Sequence, residues 1–436
     1  MHAGHFFSIA LLSLVVAALP APAPAQVKPG DVITRDNSYK VKGLVSPGNL
    51  MLVQQGMTMD IVPSEKLDWP PPYKAATEKY SPQVQLGSDG SLNNYVAGLP
   101  FPLLDVNDPQ VGAKIMWNFS FKPLYNDDLD LRDPEVASFN PTSNGTPLNY
   151  FTVGHFSFYN NIGRIEIPPV PTDPDAQASG IRYRFGFYPI LEPAPLRGWG
   201  LLRYRYIKPD TEDNVFVYRP RSRRVRRQQA STLSDAIGQL AGAESGGGGA
   251  SPYASTLDPD SYFGFSAKVE DYNYKFLGER DMLASVHAKN SPEVACPNDG
   301  GRTVCPEDWE MRHIYVVEAD SKPNKNVSIP RRILYIDSEG WFITASDQYD
   351  RQGQLWKTIA TFQTFRDRPV PDAKVAIYPY KRVFQLALVD EDLANGGSSV
   401  IYMPGPNSEE RECWYIDMGT VNNSTFQPQT MENYGH

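Results

Sequence analysis

The stretch that decides the fold runs from Asp260 to Phe365, dense in aromatic residues and broken by turn signals. It reads Tyr262-Phe-Gly-Phe265, Glu270-Asp-Tyr-Asn-Tyr-Lys-Phe-Leu-Gly-Glu-Arg280 and His313-Ile-Tyr-Val-Val-Glu318. Arg331-Arg-Ile-Leu-Tyr-Ile-Asp337 and Trp341-Phe-Ile-Thr-Ala-Ser-Asp-Gln-Tyr-Asp-Arg-Gln-Gly-Gln-Leu-Trp356 follow. Short alternating runs of this kind, rich in aromatic and β-branched residues, are successive strands of a meander. Asp337-Ser-Glu-Gly340 reads as the hairpin turn between two of them. No constellation of catalytic residue types accompanies the run, so sheet and ligand surface is the better reading, ahead of active site.

Outward from this stretch, the period of two begins at Asn149. Strands are expected at Thr152–Tyr159, Ile162–Ile167, Ile181–Tyr188, Gly200–Ile207, Asn214–Arg219 and Arg223–Gln228. They resume at Lys275–Leu283, His313–Ala319, Arg331–Asp337, Trp341–Ser346, Gln354–Phe365 and Val383–Val389. Between the two sets, Ala230–Ala254 contains Gly246-Gly-Gly-Gly249 and reads as a short helix plus a flexible insertion. Residues 26–148 form a lead-in of loops and short helices, with one helix near Asp108–Phe121 that starts at Asp108-Pro109. Consecutive hairpins without crossover helices imply one large antiparallel sheet over 149–436, with the lead-in in the same globular unit. The fold class is therefore mainly β (α+β), a large curved antiparallel sheet with a few covering helices.

Residues 1–25 stand apart. Phe6–Leu19 is uncharged and too short to span a bilayer, which takes roughly 20 residues. Ala23-Pro-Ala25 supplies small residues before Gln26, so a signal peptide and export are expected. The net charge of −9 argues against nucleic acid as a partner. In an exported chain Cys296 and Cys305 most simply close a small loop disulfide, and Cys413 is left as a buried thiol. The loop offers neither Cys-x-x-Cys nor a histidine at metal spacing, so no zinc site is expected.

Catalytic chemistry finds little footing. Gly-x-Ser-x-Gly, His-Glu-x-x-His and the Gly-x-x-x-x-Gly-Lys phosphate loop are all absent, and no cofactor is implied. His155, His287 and His313 are scattered, and His313 opens a strand, where a structural role is expected. The acidic run Asp127–Asp133 lacks the glycine and terminal glutamate of a calcium loop and reads as a solvated loop. Arg219, Arg221, Arg223, Arg224, Arg226 and Arg227 form either a solvated, ion-paired sheet face or a patch for anionic head groups or an acidic partner. Burying several unpaired guanidiniums is costly, which places them toward a rim. The strand aromatics Tyr204, Tyr206, Phe263, Phe265, Trp341 and Trp356 either fill a core or line an apolar cavity.

Several segments resemble one family. Val217–Arg227 looks like a strand of outer-membrane lipoprotein-sorting proteins. Glu270–Gly278, Val316–Ala319, Arg332–Asp337 and above all Ser346–Trp356 are similar to the domain of unknown function 1329. The resemblance implies a periplasmic protein of a Gram-negative bacterium, related to the lipoprotein carriers LolA and LolB. It implies their incomplete β-barrel, closed by helices over an apolar cavity that takes acyl chains. By this resemblance the partners are a hydrophobic small molecule or acyl chain and an inner- or outer-membrane transport component. It carries over no catalytic residue, and it sets the arginine strand near the cavity mouth. A non-enzymatic carrier or adaptor is the first reading; a hydrolase on lipidic or polymeric substrates and an envelope scaffold are the alternatives.

Overall fold

The computed structural model describes residues 27–229, 260–289, 295–325 and 327–434. The expected signal peptide and the Ala230–Ala254 insertion lie outside the described residues. The strands are β1 (Val32–Ile33), β2 (Met59–Ile61), β3 (Gln85–Leu86), β4 (Leu92–Asn93), β5 (Asp128–Arg132), β6 (Glu135–Phe139) and β7 (Asn149–Asn160). They continue as β8 (Ile181–Glu192), β9 (Gly200–Tyr206), β10 (Asn214–Arg219), β11 (Arg224–Gln229), β12 (Tyr272–Ala284) and β13 (Asp308–Ser321). The last six are β14 (Arg331–Asp337), β15 (Ile343–Tyr349), β16 (Leu355–Arg366), β17 (Arg382–Asp392), β18 (Gly397–Tyr402) and β19 (Trp414–Ile416). The α-helices are α1 (Pro47–Gln55), α2 (Pro71–Tyr80), α3 (Val111–Ser120), α4 (Pro174–Ser179) and α5 (Pro428–Tyr434).

All but β3 and β4 belong to one sheet. From one edge its pairings run β11, β10, β9, β8, β7, β6, β18, β17, β16, β15, β14, β13, β12, each antiparallel to the next. β5 lies in line with β6 along β7 and brings in β19. The bend between β5 and β6 falls at Asp133, which takes φ +50° before Pro134. The lead-in joins through β2, which pairs in parallel with the start of β13, the one parallel exception among these named ladders. Among the described residues neither β11 nor β12 has a second strand partner, so the sheet does not close into a full barrel.

Two expectations change. The acidic run Asp127–Asp130 is not a solvated loop but the entry to a buried strand. Its charges are held by distant backbone: the Asp127 carboxylate accepts the amides of Ile165, Glu166 and Ile167 at 2.5–2.7 Å. The Asp417 carboxylate in turn accepts the amides of Asn126, Asp127 and Asp128 at 2.8–3.2 Å. Ile162–Ile167, expected as a strand, makes only two isolated bridges, from Ile162 to Thr172 and from Gly163 to Ala97. Its backbone is engaged by Asp127 instead of by a neighbouring strand.

The face of the sheet that carries Phe156, Phe158, Phe185, Leu201, Tyr272 and Leu334 belongs to the main core and is called the inner face here. On the opposite face of β7–β10, Tyr159, Tyr188, Leu202 and Tyr218 pack under Phe426 and Met431 of the C-terminal segment. α1 docks on β15 and β16 through one carboxylate. Asp347 accepts the Ser46 hydroxyl at 3.1 Å, the Gly48 amide at 3.2 Å and the Thr358 hydroxyl at 2.9 Å. Cys296 and Cys305 are bridged, and their loop abuts the end of α1, where a Cβ on Gly56 would lie 2.6 Å from the Asn298 carbonyl oxygen.

Candidate functional site

The inner face of the described residues is filled by its own chain. The segment Tyr262–Phe265 runs into it as a plug, with the Tyr262 ring 4.9 Å from Phe156 and 5.5 Å from Phe185. Phe263 lies 6.1 Å from both Phe158 and Tyr125, and Phe265 lies 5.3 Å from Tyr272. The plug turns at Phe263 (φ +56°) and Gly264 (φ +87°). Only glycine serves at the second position, because a Cβ there would meet Ile343 Cγ2 at 2.5 Å. Phe263 and Phe265 therefore occupy the space that the sequence reading left open between a filled and a hollow interior.

Beside the plug a pocket of about 60 Å³ remains between the end of α3, the C-terminal end of β7, the start of β8 and the end of β9. Its apolar walls are Phe119, Phe121, Tyr125, Phe158, Phe263 and Phe265, and its cations are Lys122, Arg182 and Arg205. At roughly 10–15 Å³ per water, the volume suits a few polar atoms and not a whole acyl chain. Arg205 is neutralised by Asp213 at 2.9 Å and donates to the Ser266 carbonyl at 3.0 Å. Arg182 is clasped by rings, 4.4 Å from the centroid of Phe121 and 5.0 Å from that of Trp117, and donates to the Ser120 hydroxyl at 3.0 Å. The Lys122 ammonium lies 4.2 Å from the Phe119 centroid and 5.2 Å from that of Phe263. Its hydrogen bond among the described residues is a long one, 3.4 Å, to the Phe119 carbonyl. Burial, reinforced by the like charge of Arg182, pushes the Lys122 ammonium down to about 7.

A larger, open groove of about 660 Å³ lies between α2, Pro102-Leu103 and the hairpin turn at Ser338-Glu339. Its lining mixes Lys66, Lys74, Asp68, Glu78 and Glu339 with Trp69 and a 91% exposed Leu103. No single ligand chemistry fits that alternation of charge.

The six aromatics singled out in the sequence do not share one space. Tyr204 and Tyr206 point away from the inner face: Tyr204 packs with Phe216 and donates its hydroxyl to the Phe426 carbonyl, while the Tyr206 hydroxyl meets Asn214. Their neighbours Arg203 and Arg205 point inward instead, because Asp260 and Asp213 wait there to pair with them. Trp341 sits before β15 at φ +56° and stacks on Tyr315 at 5.6 Å. Strand parity does not govern it, and both it and Phe342 are buried. Trp356 is half-buried at the start of β16, bonded to Asp392 at 3.3 Å.

The arginine run sits on the hairpin and outer strand β10–β11. Arg221, Arg223, Arg224, Arg226 and Arg227 are exposed, and Arg219 lies 5.1 Å over the Trp199 ring. Register places its turn at the far end of these strands from the pocket, since Tyr218 pairs with Gly200 while Asn214 pairs with Tyr204. The arginine run therefore lies away from this pocket.

Three histidines pair with carboxylates outside the pocket, His313 among them, with its Nδ1 3.2 Å from Asp281 Oδ1 on the exposed surface of β12–β13. His155 Nδ1 is 2.9 Å from Asp130 Oδ1, and the Ser157 hydroxyl donates to that same oxygen at 2.7 Å. A serine bound to the carboxylate rather than to the histidine is not activated as a nucleophile. His287 Nδ1 is 2.9 Å from Glu310 Oε2. Among the described residues no group of three or more His, Cys, Asp or Glu is set to hold a metal, and no helix is long and apolar enough to cross a membrane. The sequence reading missed Lys122 and Arg182, which stand singly among aromatic residues. The spacing Trp117-Asn-Phe-Ser-Phe-Lys122 was the available signal.

Among the described residues the fold is an open sheet with a small pocket beside the plug, walled by aromatic rings and cations. The family model described as protein of unknown function (DUF1329) matches residues 32–431, and the chain belongs to that family. Among solved structures it is similar to a DUF1329 family protein from Desulfovibrio piger, at 15% identity and a TM-score of 0.45, over 74% of this chain and 100% of that one. It is also similar to a putative outer membrane lipoprotein-sorting protein domain from Vibrio parahaemolyticus, at 13% identity and a TM-score of 0.41, over 70% and 92% of the two chains. A LolA superfamily protein from Nitrosomonas europaea follows at 12% identity and 0.35, over 69% and 90%. No curated protein matches the chain.

Proposed function

We propose that the protein is a non-enzymatic carrier or adaptor of the periplasm that holds a hydrophobic or amphipathic ligand for a transport component of the envelope. The observation that carries this reading is the ring-walled pocket beside the plug, built from Phe119, Phe121, Tyr125, Phe158 and Phe263. Apolar burial alone holds such a ligand, at about 0.8 kcal/mol per methylene, so no reactive group is required. The small volume beside the plug sets the manner of binding. One end of the ligand enters the pocket, and its tail lies along the aromatic wall or displaces Phe263.

The test is a titration with a fluorescent hydrophobic dye, competed by lipid, on the parent protein and on Phe263→Ala. Removing the ring opens space in the wall of the pocket, and the variant should bind the dye several-fold more tightly. If neither protein binds any apolar probe, the carrier reading fails and a scaffolding role replaces it.

A further inference from the structure

The pocket has a charge problem that the described residues leave unsolved. Lys122 and Arg182 are each only 7% exposed; Lys122 feels Arg182 as a like charge, and Arg182 feels Arg205. Neither makes an ion pair among the described residues. Arg205 is matched by Asp213, and Glu270 is the carboxylate whose field reaches Arg182, without a salt bridge between them. Ring faces attract cations but carry no net charge, so the clasp of Phe119, Phe121 and Trp117 offsets desolvation without neutralising anything. Buried charges are ordinarily paired, and two adjacent cations without a partner mark a place where an anion would be bound strongly. The neutral lining completes the preference, since Asn126, Asn160 and Ser266 bring hydrogen-bonding groups to the same wall.

We propose that this pocket is an anion site, in which the Lys122 ammonium and the Arg182 guanidinium take the oxygens of a carboxylate or phosphate head group. The inference rests on the carrier reading for the ligand's tail and adds what the head must be. A pocket of about 60 Å³ takes a carboxylate or phosphate and leaves the alkyl portion against the rings. Free phosphate and the head of an anionic amphiphile share this chemistry, and the tail distinguishes them.

Three probes separate the possibilities by calorimetric titration: dodecanoate, the uncharged dodecyl maltoside, and inorganic phosphate. They are applied to the parent protein, to Lys122→Met and to Arg182→Gln. The parent should prefer dodecanoate to the maltoside by roughly 10- to 100-fold, the range of a charge-assisted hydrogen bond to a buried group. Each variant should bring that ratio to within a few-fold, and phosphate should compete weakly with dodecanoate. Lys122→Met removes a desolvated charge and should melt no lower than the parent, so a lost preference is not lost folding. Equal binding of dodecanoate and maltoside, unmoved by either substitution, overturns the anion site and leaves the carrier reading standing. Phosphate binding that Lys122→Met abolishes, with no amphiphile bound, sustains the anion site and removes the carrier reading. Phosphate as tight as dodecanoate shows that the tail contributes nothing and overturns the head-group assignment.

Discussion

Gly48→Ala should destabilise the protein, although alanine is the better helix former by about 1 kcal/mol. Gly48 lies in the first turn of α1, where the helix rests on β15 and β16. A Cβ there would lie 2.0 Å from Thr358 Oγ1, 2.3 Å from its Cβ and 2.4 Å from Asp347 Oδ1. Neither neighbour can give way, since both are fully buried and face each other across the ladder. To restore an ordinary contact near 3.4 Å the helix must lift by roughly 1.4 Å, and overpacking of that kind costs about 1–3 kcal/mol. The lift also strips the Gly48 amide from a buried carboxylate, a bond worth about 1.5–3 kcal/mol. Set against the gain of about 1 kcal/mol in helix propensity, the two costs leave an expected loss of roughly 1.5–5 kcal/mol, read as a shift of the urea midpoint by tryptophan fluorescence. Thr358→Gly in the same chain should recover part of it, with a coupling of at least about 1 kcal/mol. A Gly48→Ala protein as stable as the parent, or more so, would refute the reasoning, because it would mean that α1 does not depend on this close approach.

Asp127 and Asp128 are raised to about 6 and about 7 by burial first and the nearby Asp417 carboxylate second. A carboxyl raised on folding contributes stability that is fully present below its unfolded value and lost as pH rises through the folded one. Asp128→Asn should therefore gain on the parent by about 2–4 kcal/mol between pH 4 and pH 7.5, followed by denaturant midpoints across that window; a constant difference would rule the shift out. Reducing the Cys296–Cys305 bridge, or replacing it with Cys296→Ser and Cys305→Ser, should cost on the order of 2–3 kcal/mol. Thiol titration of the unreduced protein in denaturant should find one reactive cysteine, Cys413, which is shielded in the native state because it is buried; three thiols would contradict the bridge.

Much of the sheet was legible because alternation survives in single strands. Arg331–Asp337 and Asn214–Arg219 have the bounds that their patterns imply. What alternation cannot supply is which parity faces inward. On β9 the aromatic set Tyr204 and Tyr206 went outward, and the arginines went inward to partners at Asp260 and Asp213. β5 was illegible for a related reason. A run with three aspartates reads as solvated unless its counter-groups are known, and those are amides at Ile165–Ile167 and a ladder with β19. The pocket lay hidden because its walls come from α3, β7, β8, β9 and the plug, and only the fold brings them together.

The strand order also bears on when this protein can fold. β2 near the start waits for β13, α1 waits for Asp347, β5 waits for β19, and α5 seals β8 to β11 last of all. Contacts at such sequence separations close late, and topologies dominated by them fold slowly. A growing chain therefore completes these four junctions only once their later partners have been made, the last being the cover that Phe426 and Met431 lay over the outer face of β7–β10.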